Sequence, residues 1–265
     1  MQDVKFFKYH GTGNDFILID NRNSLIKITE KEVRFLCNRH LGIGADGFII
    51  LENSSDYDFK MRYFNSDGKE ATMCGNGARC IISFAFDIGI VKSNYLFEAI
   101  DGLHEASIVT SINNIKEICL KMQDVKEINL VGKNYLLNTG SPHLVVFNED
   151  IEEINVNSEG SKLRNSAMFK QNGVNVNFVK EQGRKLYVRT FERGVEAETL
   201  SCGTGVVASV IAFHKKHGVS DGEYSTHIKT FGGNLNVRFY SVESKYQNIF
   251  LSGDTTFVFS GLISL

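Results

Sequence analysis

Short runs of alternating or continuous apolar residues recur along the chain. NDFILID, GFIILE, YDFKMRYF, EASIVTSI, HLVVF, GVNVNFVK, KLYVRTF, NLNVRFY and TTFVFSGLISL all read as strands. Helical spacing is rarer. ITEKEVRFLCNRH, residues 28–40, is amphipathic, and Thr29 is placed to cap its start. Two further segments, GARCIISFAFDIG and GTGVVASVIAFHKKHG, are apolar on nearly every side. Such helices belong inside a fold rather than on its surface. The second closes on Lys215, Lys216 and His217 and then Gly218, a C-terminal signature.

The pattern repeats once. TGNDFILID begins at Thr12 and TGSPHLVVF at Thr139, an offset of 127. Arg62 and Phe64 of MRYFN recur as Arg189 and Phe191 of VRTFE, again 127 apart. Cys74-Gly-x-Gly returns as Cys202-Gly-x-Gly at an offset of 128. Three collinear matches indicate a duplication, hence two similar domains. The expected class is mixed α/β (α+β), each domain wrapping strands around one buried helix that begins at a cysteine. The polar stretch SINNIKE, residues 111–117, is the expected boundary.

Composition narrows the function. The 265 residues are 42% hydrophobic and 23% charged, as in a folded globular protein with two domains of ordinary size. The net charge of −2 and the lack of a concentrated basic block argue against a nucleic-acid partner. MQDVKFFKYHG does not read as a secretory signal, and no apolar run reaches bilayer-spanning length. A cytoplasmic protein with no membrane partner is expected. A homodimer is compatible with the sequence and not required by it.

Five cysteines, an odd number without C-x-x-C, make a disulfide framework or structural zinc site improbable. Cys37, Cys80 and Cys119 read as small core residues. Cys74 and Cys202 differ because each leads a glycine-rich helix start. The first N–H groups of a helix lack internal partners, and the dipole is positive there. A thiol at that end can titrate at roughly 3.5–7.5 instead of about 8.5. A depression of ~1.5 units is worth about 2 kcal/mol of preference for thiolate. The same N–H groups hold carboxylates. Two such sites flanking one small acid would remove a proton from one face of a carbon and return one to the other. The developing enolate charge would rest on N–H donors, with no metal and no organic cofactor required. A thiol redox protein is the alternative from another class.

These residues resemble the diaminopimelate epimerase family, PLP-independent enzymes that interconvert LL- and meso-2,6-diaminopimelate. The resemblance runs through HGTGNDF, GIGADG, FNSDGKEATMCGNGARC, TGSPH, VNVNF and ERGVEAETLSCGTG and covers essentially the whole chain. It implies Cys74 and Cys202 as the acid/base pair. The backbone of Gly75, Asn76, Gly203 and Thr204 would grip the reacting carboxylate, with Asn14 as a further substrate contact. Asn65, Asn175, Arg193 and Glu192 would read the distal amino-acid end, since Arg suits a carboxylate and Glu an ammonium. His143 matches a motif histidine near the site. Residues 255–265 would return to the first domain, giving 1–116 plus 255–265 with Cys74, and 117–254 with Cys202. Domain closure would exclude water, and the pathway implied is lysine and peptidoglycan precursor synthesis. Gly47 and Ser141 depart from the family pattern, where Gln and Asn are common, and the loop before Glu198 is one residue longer. A proline or hydroxyproline racemase-like activity is the other enzymatic reading. Those relatives carry His where this chain has Asn76, and they have no distal end to read.

Three other features carry less. GIGADG matches a dinucleotide-binding spacing, but a helix precedes it and a strand follows, so it reads as a turn. His214 and His217 read as surface or dipole-compensating residues, and NEDIEEINVNSEG as a solvated connection.

Overall fold

The computed structural model describes residues 3–218 and 220–264. The chain forms two compact units, Met1–Leu120 with Gly253–Leu265, and Lys121–Ser252. In the first unit the order is β1 (Asp3–Gly11), β2 (Asn14–Asp20), α1 (Glu30–Cys37), β3 (Gly47–Glu52), β4 (Phe59–Asn65), β5 (Glu70–Ala71), α2 (Gly75–Asp87), β6 (Asn94–Ala99), β7 (Gly102–Ile112) and β8 (Ile115–Lys121). The second continues with β9 (Ile128–Val131), β10 (Asn134–Asn138), β11 (Pro142–Phe147), α3 (Val156–Arg164), β12 (Asn175–Gln182), β13 (Lys185–Glu192), β14 (Ala197–Thr199), α4 (Gly203–His217), β15 (Gly222–Thr230) and β16 (Gly233–Val242). The last strand, β17 (Lys245–Ser264), begins in the second unit and ends antiparallel to β1 in the first.

The duplication is visible in the pairing. β2 runs parallel to β3, β3 antiparallel to β4, and β4 pairs antiparallel with β5 and parallel with β6. The same relations join β11, β12, β13, β14 and β15. One buried helix lies against each set, α2 on β1, β2 and β3, and α4 on β11, β12 and β13. Every residue from Gly75 to Ala85 is buried, which is why that segment is apolar all round.

A side-chain pair marks the repeat as well. Arg62 of β4 grips Glu70 of β5 through Nε at 2.8 Å and Nη2 at 2.9 Å. Arg189 of β13 grips Glu198 of β14 at 2.7 and 2.8 Å. The arginines are 127 apart and the glutamates 128 (189 − 62; 198 − 70), so the inserted residue lies in the turn between β13 and β14. The second pair is more buried and also anchors the chain before α3, with Nη1 donating to the carbonyls of Ile151 and Ile154. Arg189→Met is therefore expected to cost about 2–3 kcal/mol in thermal unfolding and Arg62→Met under about 1 kcal/mol. Equal costs would show that the extra burial and carbonyl contacts contribute nothing.

Several expectations change. Thr29 caps α1 in a reciprocal box with Glu32, but the helix stops at Cys37. Asn38 turns extended there, and its Oδ1 accepts from the backbone N–H groups of His40 and Leu41. Residues 111–117 form the tip of the β7–β8 hairpin, and the changeover between units falls after Leu120, inside β8. Polarity marks an exposed hairpin tip as readily as a linker. Cys37 and Cys80 are core residues, whereas Cys119 is only half-buried. The acidic run is not a plain connection. Asn155 caps α3, and Ile151 and Val156 are buried in the second unit's core. His214 is buried, with Nε2 2.9 Å from Thr226 Oγ1, while His217 is exposed and pairs with Glu181. Burial, with His217 nearby, takes the His214 imidazole down to about 4, so it offers no charge to the helix dipole.

No helix among the described residues is long and apolar enough to cross a membrane.

Candidate active site

Each unit builds a thiol-centred cluster at the start of its buried helix. Cys74 is the N-cap of α2 and Cys202 the N-cap of α4, both with extended backbone and neither with a side-chain capping bond. The leading N–H groups that follow, from Gly75 and Asn76 and from Gly203 and Thr204, have no partner four residues back in the helix. The second glycine of each motif serves packing. A Cβ on Gly77 would lie 3.1 Å from Ile49 Cδ1, and one on Gly205 would lie 2.2 Å from Asn177 Oδ1.

In the first unit the β1–β2 turn carries Asn14 to the thiol. Thr12 and Gly13 both take positive φ, 49° and 85°, as a tight two-residue hairpin turn requires. Cys74 Sγ lies 3.7 Å from Asn14 Oδ1, which also accepts from Asn76 Nδ2 at 3.2 Å. The Asn14 amide nitrogen donates to Asp46 at 2.8 Å. Behind Asn76 stands Arg79, fully buried, whose Nη2 donates to Asn76 Oδ1 at 2.9 Å and Thr12 Oγ1 at 3.1 Å. Lys8 and Arg39 meet Asp15, the residue after Asn14. Burial opposes ionisation of Asp15, but the bonds from Arg39 and Lys8 prevail and hold its carboxyl well below the usual range. Cys37 shows the contrasting case of a structural thiol, pushed up to about 12 by burial.

Asn65 belongs to a neighbouring group. It ends β4 opposite Gly47 and accepts from Tyr63 Oη at 2.7 Å. A Cβ on Gly47 would sit 2.7 Å from Tyr63 Cε2, so the ring of Tyr63 occupies the room a longer side chain would need. Gly47 can offer a ligand only its backbone.

In the second unit Cys202 Sγ lies 3.5 Å from Thr204 Oγ1, and Thr204 Oγ1 lies 2.9 Å from His143 Nε2. His143 is fully buried on β11, in register with Asn175 of the parallel strand β12. Period-two alternation puts Asn175 and Asn177 on one face of β12. Asn177 Nδ2 donates to His143 Nδ1 at 3.0 Å. Asn175 Nδ2 donates to Ser141 Oγ at 2.9 Å, and its Oδ1 accepts from the Arg193 backbone at 2.8 Å. Ser141 thus joins the set expected to read the distal end. The exposed Arg193 guanidinium reaches Asn172 O at 3.0 Å and Ser141 Oγ at 3.4 Å. Glu192 ends β13 and accepts from Thr199 Oγ1 at 3.0 Å.

Burial and the nearby Arg193 charge take the His143 imidazole down to about 3, against an ordinary value of 6.5. With His214 at about 4, the folded chain keeps two neutral imidazoles that the unfolded chain protonates below about pH 6.5. Their contribution to stability is complete above pH 6.5 and is lost as pH falls. The expected slope reaches about 1.4 kcal/mol per pH unit for each histidine. Urea unfolding from pH 6.5 to 5 should therefore show falling stability, with a shallower slope in His214→Gln. A flat profile would contradict the neutral burial.

Sequence reasoning missed Asn177, Thr190, Asp46 and Arg79. The signal for Asn177 was present in VNVNF, where two polar residues alternate within an apolar strand. Nothing local pointed to Arg79, since arginine in a helix is ordinarily solvated.

A sequence profile of diaminopimelate epimerase matches residues 6–125 and 135–258. The chain belongs to the diaminopimelate epimerase family. Diaminopimelate epimerase of Flavobacterium psychrophilum is 47% identical over 262 residues, covering 98% of this chain and 100% of that one. The Chlorobaculum tepidum protein of the same name is 39% identical, covering 96% and 99%. Among solved structures, a Bacillus anthracis phenazine biosynthesis protein of the PhzF family superposes with a TM-score of 0.80 at 15% identity, covering both chains fully. A hydroxyproline epimerase from Agrobacterium vitis gives 0.72 at 15%, covering 99% of this chain and 93% of that one. At such identities these structures establish the shared fold. Family membership supports the epimerase reading over the racemase-like one.

Proposed function

We propose that this chain interconverts LL- and meso-2,6-diaminopimelate in the cytoplasm, with Cys74 and Cys202 as paired acid and base. The thiolate takes the α-proton, and the electron pair delocalises into the adjacent carboxylate. The thiol gives its proton to the opposite face, so the two sulfurs exchange protonation states in each turnover. The leading N–H groups of α2 and α4 stabilise the enolate-like charge. The single observation that carries this is the repeated one: two buried helices in a chain of this family, each with a cysteine at its N-cap position. An exposed Arg193 beside Glu192 supports a substrate with a second amino-acid end.

The test is incubation of reduced protein with LL-diaminopimelate in deuterated water. Meso product carrying α-deuterium is expected. Absence of both exchange and product would overturn the assignment. Activity on proline alone would favour the racemase-like reading, and thiol oxidation without exchange the redox one.

A further inference from the structure

The buried polar residues behind Cys202 form a chain of hydrogen bonds with a single direction. Thr190 Oγ1 donates to Asn177 Oδ1 at 3.0 Å. That leaves the Asn177 amide nitrogen facing His143 Nδ1 at 3.0 Å and the Leu144 carbonyl at 3.5 Å. Turned the other way, the amide would set its oxygen against the Leu144 carbonyl oxygen. An amide nitrogen only donates, so Nδ1 must accept, and a neutral imidazole then carries its proton on Nε2. His143, Asn177 and Thr190 are 0%, 0% and 3% exposed, so bulk water does not compete for these bonds. Asn175 Nδ2 also lies 3.5 Å from Nε2, but its two hydrogens go to Ser141 Oγ at 2.9 Å and the Pro142 carbonyl at 3.2 Å. The Nε2 proton therefore points at Thr204 Oγ1, 2.9 Å away. Having accepted that bond, the Thr204 hydroxyl has its own hydrogen to give, and Cys202 Sγ is 3.5 Å from it. The residue is steadied by Thr139 Oγ1, which donates to the Thr204 carbonyl at 2.8 Å.

We infer that Asn177 and Thr190 are positioning residues for Cys202: by fixing the tautomer of His143 they turn the Thr204 hydroxyl onto the sulfur and favour its thiolate. The first unit has no counterpart. Register and offset put Phe16, Ile49 and Tyr63 where the second has His143, Asn177 and Thr190. Cys74 faces an acceptor, Asn14 Oδ1, held by Asp46 and Asn76. The duplicated scaffold thus serves its two thiols through different neighbours. The catalytic meaning rests on the two-thiol reading above, but the hydrogen-bond chain is measurable without any substrate.

Two measurements test it. Nitrogen-15 histidine spectra of the reduced wild-type protein should show His143 as the Nε2–H tautomer, unchanged from pH 5 to 8. A proton on Nδ1, or an imidazole that charges in that range, would overturn the inference. Second, alkylation rates of Cys202 and Cys74 are followed against pH by peptide mass spectrometry. Thr204→Val should raise the Cys202 midpoint by about one unit, a tenfold slower reaction at a fixed pH below it. Thr204→Ser should restore it. Asn177→Asp should raise it too, because a carboxylate takes Nδ1–H and turns Nε2 into an acceptor for the Thr204 hydroxyl. The Cys74 midpoint should stay in place throughout. An unmoved Cys202 midpoint in Thr204→Val or Asn177→Asp would overturn the chain, and the wild-type spectra decide the tautomer even if a variant fails to fold. Neither readout involves diaminopimelate, so failure here is distinct from failure of the deuterium experiment.

Discussion

Cys74→Ala and Cys202→Ala are each expected to lower epimerisation by at least about 10³-fold, since one positioned acid or base contributes roughly 10²–10⁴. Neither thiol caps its helix through a side-chain bond to the backbone, so alanine removes no cap, and melting temperatures should stay within a few degrees of wild type. Loss of activity without loss of fold separates a catalytic from a structural thiol. The two variants should also fail differently. With one base left, α-hydrogen exchange without inversion can survive for one isomer only. The isomer that exchanges in Cys74→Ala should be the one that does not in Cys202→Ala. Deuterium uptake from separated LL and meso substrates measures this. Near wild-type turnover in either variant would leave the paired-thiol mechanism without support.

Gly68→Ala should show the largest effect on stability, about 3 kcal/mol by urea unfolding of the reduced protein. Gly68 has a φ of +91°, which costs an L side chain roughly 1–2 kcal/mol. A Cβ there would also lie 2.1 Å from the Glu30 carbonyl oxygen and 2.8 Å from its carbon, both backbone atoms at the start of α1. Overpacking of that kind adds about 1–3 kcal/mol. The turn cannot simply move away. Gly68 N–H donates to the Asn65 carbonyl at 2.9 Å, and Arg34 Nε docks α1 onto the Asp67 carbonyl at 3.0 Å. Gly89 supplies the internal comparison, with a φ of +96° and nothing within 4 Å of an added Cβ. Gly89→Ala should cost only the conformational part, about 1 kcal/mol. Equal losses in the two variants would mean that the contact with Glu30 does not matter. The glycine in the Asn-x-Asp-Gly lead-in is on this account a packing requirement, whereas Asn65, three residues upstream in the same turn, is the candidate for chemistry.

The parts of the site that were legible in the sequence are those whose physics is local. A thiol before two glycines and a long apolar run states a helix start without reference to the rest of the chain. The repeat of Arg62–Phe64 as Arg189–Phe191 was equally open to inspection, and the structure shows why it is kept: each arginine grips a glutamate on the next strand. Thr29 announced a cap that is present, and the structure adds Glu32 as its reciprocal partner. Polar residues were read less well. His214 and the acidic run looked solvated, yet His214 is buried against Thr226, and Ile151 and Val156 within the acidic run belong to the core. Polarity reports the cost of burial but not whether a partner meets that cost, and partners come from other strands.

From its sequence alone this protein is a duplicated α/β chain with two cysteine-led internal helices, because periodicity, capping and turn chemistry act within a few residues. Tertiary structure decided what stands behind each cysteine. His143 meets Asn177 only because β11 and β12 run parallel in one particular register, and Arg79 reaches Thr12 only because α2 is sunk against the β1–β2 turn. A shift of one residue in that register would turn both asparagines to the face opposite His143, and no local pattern specifies it.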